Sequence, residues 1–336
     1  MKKITCNLIT LFFLSLLLVG CSLRTGKHQD SISRTGFYFD TVISITLYDN
    51  DNSEILDRIM TMCDHYEHLF SLRIEGSDIY KLNEAKGKPV KVDKDTADLI
   101  ERALYYSTIT DGHFDITIGG ISSLWNFSVD PKGPVPKRSL IEEGLKHVNY
   151  KNVKIEYNGD DTATITLLDP ESKIDLGAVA KGYIADKIKA SLINENVSSA
   201  IINLGGNVLL LGSKPDGSLF KVGIQDPSKN TGEIITTVSA SDVSVVTSGV
   251  YERYFEENGI HYHHILDAET GYPSKSKILG LTILSPTSTE GDCLSTSCFI
   301  LGYEKGMELI ESLDNVEALF ITEDGVLHRS SGFPEN

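Results

Sequence analysis

Asp175-Leu176-Gly177-Ala178-Val179-Ala180-Lys181-Gly182-Tyr183-Ile184-Ala185-Asp186 is the stretch on which the reading of this chain turns. An expected strand (Ala163 to Leu168, then Lys173-Ile174) leads into Asp175, a glycine turn follows, and a helical segment runs on to Asn196. A helix that starts just after a tight turn presents unpaired backbone N–H groups, which together with the helix dipole attract anions. Gly177 permits close approach of a ligand to the backbone, and Lys181 lies one turn further on, so phosphate is the natural guest. The order of residues matches neither G-x-x-x-x-G-K-[ST] nor G-x-G-x-x-G. A plainer alternative stays open, in which the glycine merely precedes a helix and Lys181 is a solvated surface residue.

The whole chain sets limits around that turn. Its 336 residues are 40% hydrophobic, ordinary for a globular core, and suit one large domain or two small ones. With 31 Lys+Arg against 47 Asp+Glu the net charge is −16, which disfavours nucleic acid or an anionic lipid surface as partner. A phosphorylated ligand must then be held by local groups or by a metal. Lys2-Lys3 followed by apolar Ile4 to Val19 reads as a targeting segment. Its end, Leu18-Val19-Gly20-Cys21, resembles the bacterial lipoprotein signal. That resemblance implies a signal peptide over residues 1–20, a diacylglycerol on the Cys21 sulfur, a lipidated tether over residues 21–34 and work outside the cytoplasm beside a membrane. An uncleaved membrane anchor is the alternative. Cys63, Cys293 and Cys298 then remain, an odd number with no C-x-x-C, and are expected as small core residues.

Along the chain, the sequence predicts a strand over Gly36 to Tyr48 and helices over Ser53 to Phe70, capped by Ser53, and Lys94 to Thr110, capped by Asp95 or Thr96. A loop is expected over Asp130 to Pro136, and a hairpin over Asn152 to Leu168 turning at Asn158-Gly159. Further strands are expected over Ala200 to Leu211, Phe220 to Gln225, Glu233 to Ala240, Val243 to Thr247, Tyr262 to Leu266 and Lys277 to Leu284. A helix from Thr287 to Leu301 ends at Gly302. Long strands with irregularly interspersed helices predict an α+β fold.

Asp292 and Thr296 lie four apart on that last helix, so a carboxylate and a hydroxyl project from one face. Such hard oxygens suit Mg²⁺, whose remaining ligands come from water and substrate phosphates. A capping Asp beside a Thr bonded back to its own helix is the alternative. In His261-Tyr262-His263-His264-Ile265-Leu266-Asp267, a His-x-His metal pair lacks an evident third ligand. His264 as a working imidazole with Asp267 as its orienting carboxylate is the functional reading, and a histidine packed at a strand end is the plain one. Asn203-Leu204-Gly205-Gly206-Asn207 places two glycines where a strand should continue, suggesting a bulge or the close approach of another backbone. Gly112-His113-Phe114-Asp115 suggests a ligand-facing turn, and Thr247-Ser248-Gly249 leads into the polar cluster Tyr251-Glu252-Arg253-Tyr254.

Taken in order, these motifs resemble the FAD:protein FMN transferases, the ApbE family of flavin-handling lipoproteins. The match begins at Phe39-Asp40-Thr41 and Phe70-Ser71 with Leu82-Asn83, and runs on through Asp111 to Asp115, Asp175 to Asp186 and Asn203 to Gly206. It continues over Thr247 to Tyr251, His264 to Pro273 and Asp292 to Thr296. The resemblance implies one large ApbE-like (T-fold-related) domain over residues 35–330, with mixed or antiparallel sheets and flanking helices. It implies FAD contacts at Phe39, Arg73, His113, Phe114, Asp115, Asp175, Lys181 and Leu266. Metal ligands are implied at the Ala178 carbonyl, the Asp292 carboxylate and the Thr296 hydroxyl. Some relatives carry an acid where this chain has Ser295. The implied reaction is Mg²⁺-dependent attack of a Thr or Ser hydroxyl of an acceptor protein on the FMN phosphorus of FAD, releasing AMP, with His264 and Asp267 as the expected catalytic pair. An FAD pyrophosphatase, or a non-enzymatic FAD-binding lipoprotein, is the alternative.

Overall fold

The computed structural model describes residues 31–127, 132–230 and 232–335. The targeting segment, Cys21, residues 21–30 of the expected tether and the start of the expected Asp130 to Pro136 loop lie outside them. Ile32 to Arg34, assigned to the tether from sequence, instead belong to strand β1 (Ile32–Tyr38), where Arg34 pairs with Asp57 at 2.5 Å. The expected Gly36 to Tyr48 strand is broken into β1 and β2 (Thr41–Leu47), paired from Ile32↔Leu47 to Tyr38↔Thr41. Phe39 and Asp40 make the turn with φ of 55° and 57°. A left-handed Phe is costly; here its N–H is tied to Glu67 Oε1 at 2.8 Å.

Three helices and a short strand follow: α1 (Ser53–Phe70), α2 (Asp78–Glu84), β3 (Val90–Asp93) and α3 (Lys94–Ile109). Their caps fall one residue or more before the expected ones. Asn52 accepts from Glu54 N at 3.0 Å and Asp93 accepts from Asp95 N at 2.8 Å. Asp95 is taken instead by Lys187 and by the Tyr66 and Tyr183 hydroxyls. Then come α4 (Gly119–Trp125), α5 (Arg138–Leu145), the expected hairpin β4 (Val153–Tyr157) and β5 (Thr162–Leu167), and α6 (Ala180–Asn194). Helix α6 starts three residues after the expected Gly177, because Val179 N and Ala180 N both bond to Leu176 O in a preceding turn.

The expected strand Ala200 to Leu211 folds back on itself as β6 (Ala200–Leu204) and β7 (Asn207–Leu211). Gly205 and Gly206 turn between them with φ of 65° and 93°. A Cβ on Gly205 would lie 2.3 Å from Thr41 Oγ1, so the glycine also admits the neighbouring hairpin. The remaining strands are β8 (Phe220–Gln225), β9 (Ile234–Ala240), β10 (Ser244–Gly249), β11 (Tyr254–Glu257), β12 (Ile260–His263) and β13 (Ile278–Ser285). Helices α7 (Ser288–Leu301) and α8 (Tyr303–Glu311) and strands β14 (Glu317–Thr322) and β15 (Leu327–Arg329) complete the chain.

One eight-stranded sheet organises these elements in the order β1-β2-β6-β7-β10-β13-β14-β15. The named strand pairs are antiparallel throughout, so the antiparallel half of the expected architecture holds; among the described residues, parallel pairing occurs only as the isolated Ile118↔Lys173 bridge. Leu281 and Ile283 of β13 face a core filled from α1, α6 and α7 by Ile59, Ile188 and Phe299. Leu284, on the opposite face, packs with Ile224 and Val238 of the β8–β9 ribbon. Burial on both faces explains why β13 is almost continuously apolar. A smaller aromatic cluster around Trp125, Phe127 and Phe255 joins α4 and α5 to the β11–β12 hairpin, with Trp125 Nε1 donating to Gly271 O at 2.9 Å. Cys63, Cys293 and Cys298 are buried free thiols, as expected.

Helix α6 docks on the start of α7. Asp186 accepts from Ser288 N at 2.7 Å and from Thr289 N at 2.9 Å, so one helix caps the other. A Cβ on Gly182 would lie 2.2 Å from Ser288 O. Alanine in a helix normally gains up to about 1 kcal/mol over glycine, whereas overpacking costs about 1–3 kcal/mol. The facing atoms are backbone and cannot rotate away, so overpacking wins. Gly182→Ala is predicted to lower stability by about 2 kcal/mol, seen as a lower urea midpoint; an unchanged or higher midpoint contradicts this close packing.

Candidate functional site

A cavity of about 550 Å³ opens where the Asp175 to Lys181 segment meets α7, β10 and the β1–β2 turn. Its first wall is the segment that opened the sequence reading. Asp175 Oδ1 accepts from Gly177 N at 2.8 Å and Oδ2 from Ser122 Oγ at 2.6 Å, which shapes the turn from inside. Gly182 N–H, one of the orphan donors in the first turn of α6, donates to Asp292 Oδ2 at 2.5 Å. The Ala178 carbonyl keeps no hydrogen-bond partner among the described residues, and Ala178 lines the cavity. Lys181 lines it as well, and no ion pair within the described residues takes its ammonium.

The second wall is α7. Thr287 caps that helix, so Asp292 sits in its second turn and is not a cap. Asp292 is only 3% exposed. Asn207 Nδ2 donates to its Oδ1 at 2.8 Å, and Asn207 Oδ1 accepts from Ser288 Oγ at 2.6 Å. Burial pushes the Asp292 carboxyl up, while Lys181, Asn207 and the Gly182 N–H pull it down. Thr296, one turn on, lines the same cavity, and its hydroxyl is not bonded back to the helix. Ser295 between them is buried, donating to Asp292 O at 3.0 Å and accepting from Ser248 Oγ at 2.9 Å.

The third wall follows β12, which ends at His263, short of the expected Leu266. His263 is buried against Ser274 O, and His261 stacks on Tyr254 with ring centroids 4.3 Å apart, so no His-x-His pair forms. His264, half-buried, lines the cavity. Its Nδ1 donates to the Arg253 carbonyl at 3.2 Å, which leaves the lone pair on Nε2. Burial, with the charges of Arg253 and Lys181, pushes the imidazole down to about 3, so it is neutral at physiological pH. The expected orienting carboxylate is therefore corrected: a backbone carbonyl holds the ring. Asp267 is engaged elsewhere, its Oδ1 accepting from Glu269 N at 2.9 Å and lying 3.5 Å from His113 Nδ1.

The fourth wall is largely apolar, from Phe39, Phe114 and Leu266. Arg73 reaches the rim but is paired with Asp40. Asp115 also lines the cavity, yet both its oxygens are committed. Oδ1 accepts from Thr117 N at 2.7 Å and Oδ2 from Tyr150 N at 2.7 Å, so this carboxylate builds the turn that presents Phe114. His113 is not among the lining residues; it meets Asp267 outside.

Two site residues were missed from sequence. Asn207, the partner of Asp292, follows the two glycines that were read only as a backbone signal. Glu252 faces the cavity near Gly206, in the polar cluster read without a role. Desolvation at the cavity pushes its carboxyl up to about 7, opposed by Lys181 and Arg253 and helped by Asp292.

Comparison with known proteins places the chain in a family. The ApbE family profile matches residues 39–320. A protein of Treponema pallidum named FAD:protein FMN transferase is 36% identical over 288 residues, covering 82% of this chain and 79% of its own. One of the same name from Klebsiella pneumoniae is 34% identical over 283 residues, covering 84% and 86%. Among solved structures, the ApbE protein of Thermotoga maritima superposes with a TM-score of 0.81 at 30% identity, over 90% of this chain and 97% of that one. The chain belongs to the ApbE family and is, like its named relatives, a transferase.

Proposed function

We propose that this chain is an Mg²⁺-dependent FAD:protein FMN transferase. It joins FMN through a phosphoester to a Thr or Ser of an extracytoplasmic acceptor protein and releases AMP. The observation that carries the proposal is the convergence of the unpartnered Ala178 carbonyl, the Asp292 carboxylate, Thr296 and Lys181 on one cavity.

The donors fit Mg²⁺. A carbonyl with no internal partner, a hydroxyl not bonded back to its helix and a carboxylate are all hard oxygens, and substrate phosphate and water would complete the shell. When bound, the ion would supply charge neutralisation on the FAD pyrophosphate. The Lys181 ammonium balances charge on the departing AMP phosphate. Phe39, Phe114 and Leu266 offer apolar surface to FAD's rings. The acceptor hydroxyl oxygen forms a bond to the FMN phosphorus as the P–O bond to AMP breaks, and its proton passes to His264 Nε2. A free imidazole titrating near 3 is a weak base, but Arg253 and Lys181 help to depress it. FAD's phosphates oppose both charges, so the basicity of His264 rises when substrate is in place. The chain works outside the cytoplasm, held at a membrane by lipid on Cys21; Cys21→Ala shifts it to the soluble fraction, and retention in the membrane fraction refutes that anchor.

With FAD, Mg²⁺ and an acceptor, the acceptor is expected to gain the mass of an FMN phosphoryl group. Release of free FMN and AMP with an unmodified acceptor would instead mark a pyrophosphatase, and intact bound FAD a carrier. Thr296→Val abolishes Mg²⁺-dependent turnover with melting unchanged, whereas His264→Asn keeps FAD binding and loses about 10²–10⁴ in rate. Wild-type turnover in either variant removes that residue from the mechanism.

His264 also sets a pH dependence of stability. Unfolded, the ring takes a proton near 6.5; folded, at about 3. The unfolded chain binds the extra proton between those values, so this contribution is complete above pH 6.5 and is lost as pH falls toward 3. The urea midpoint of wild type is predicted to drop more between pH 7 and pH 5 than that of His264→Asn. Equal drops contradict the buried neutral imidazole.

A further inference from the structure

We propose that His113, Asp267 and Glu269 form a second cation site, suited to a borderline divalent metal such as Zn²⁺ and separate from the oxygen donors of the cavity. One ligand atom from each residue lies within 4.8 Å of the others. His113 Nδ1 stands 3.5 Å from Asp267 Oδ1 and 3.6 Å from Glu269 Oε2. Both separations are too long for good hydrogen bonds. They match a coordination edge: ligands about 2.0–2.1 Å from a tetrahedral ion stand about 3.4 Å from one another.

The two segments that supply the ligands are fixed in register. Ala268 N donates to His113 O at 3.2 Å, Gly271 N to Asp267 O at 2.8 Å, and Asp267 N to Tyr272 O at 3.0 Å. Asp267 is set further by the Glu269 N–H on its Oδ1. Glu269, 73% exposed at its side chain, is free to swing toward the ion. One imidazole nitrogen with two carboxylates favours Zn²⁺ over Mg²⁺, which prefers an all-oxygen shell. Water would fill the open position. His113 leads directly into Phe114, and Asp267 directly follows Leu266, so an ion here ties together two segments that line the cavity. This site does not depend on the flavin reading.

The test uses the full-length protein, stripped with EDTA and titrated with Zn²⁺ against a chromogenic chelator. Millimolar Mg²⁺ is present throughout to occupy the oxygen donors. One Zn²⁺ per chain is expected at an affinity on the order of micromolar. Glu269→Gln, a surface change that spares the fold, and His113→Ala each weaken it by about tenfold or more, while Thr296→Val leaves it unchanged. The proposal is overturned if wild type takes up no Zn²⁺, as a simple His–carboxylate ion pair would predict. It is equally overturned if both ligand variants bind like wild type, or if Thr296→Val alone removes the ion.

Discussion

Asp292 on α7 takes the N–H of Gly182 and the amide of Asn207, and three parts of the structure meet at that carboxylate. The bond to Gly182 requires α6 to lie almost in contact with the α7 backbone, which only glycine at 182 permits. The bond to Asn207 ties α7 to the β6–β7 turn, whose Gly205 in turn admits Thr41 of the first hairpin. A buried carboxylate without partners costs several kcal/mol; here the protein's own donors satisfy it while the Lys181 charge stands near. The consequence for chemistry is one of placement. Docking the start of α6 on Asp292 sets the Ala178 carbonyl, just before the Val179 cap, at the same cavity.

The cavity divides its labour by wall. Phe39, Phe114 and Leu266 give apolar surface, while Lys181, Arg253 and the oxygen donors line the rest. In a chain of net charge −16, this local cluster of cations is what allows an anionic substrate to enter. Burial, helped by the same cations, holds His264 neutral, and desolvation raises the Glu252 carboxyl to about 7.

Much of this was legible in the sequence where local pattern and tertiary use coincide. The strand over Lys277 to Leu284, the helix from Thr287 to its stop at Gly302 and the four-residue spacing of Asp292 and Thr296 each carry their own signal. The hairpin turn at Phe39-Asp40 does not, because a bulky Phe rarely adopts a left-handed backbone; the Glu67 carboxylate holds it from another element. Helix α2 is too short to declare itself and is fixed by Asp78, which accepts from Asp93 N and Thr96 Oγ1. The expected His264–Asp267 pair failed for a similar reason. Three residues apart looked close, but β12 ends at His263 and the chain turns between them, sending one side chain to the cavity and the other to His113. Asn207 and Glu252 could be recognised only once the β6–β7 turn and α7 were seen side by side.

The central claim is that the Ala178 carbonyl, Asp292 and Thr296 together hold one metal ion. Anomalous scattering from crystals grown with FAD and Mn²⁺ in place of Mg²⁺ tests it most directly. The account predicts one strong peak within bonding distance of the Ala178 carbonyl, an Asp292 oxygen and the Thr296 hydroxyl. A peak elsewhere in the cavity, away from these three oxygens, would contradict it.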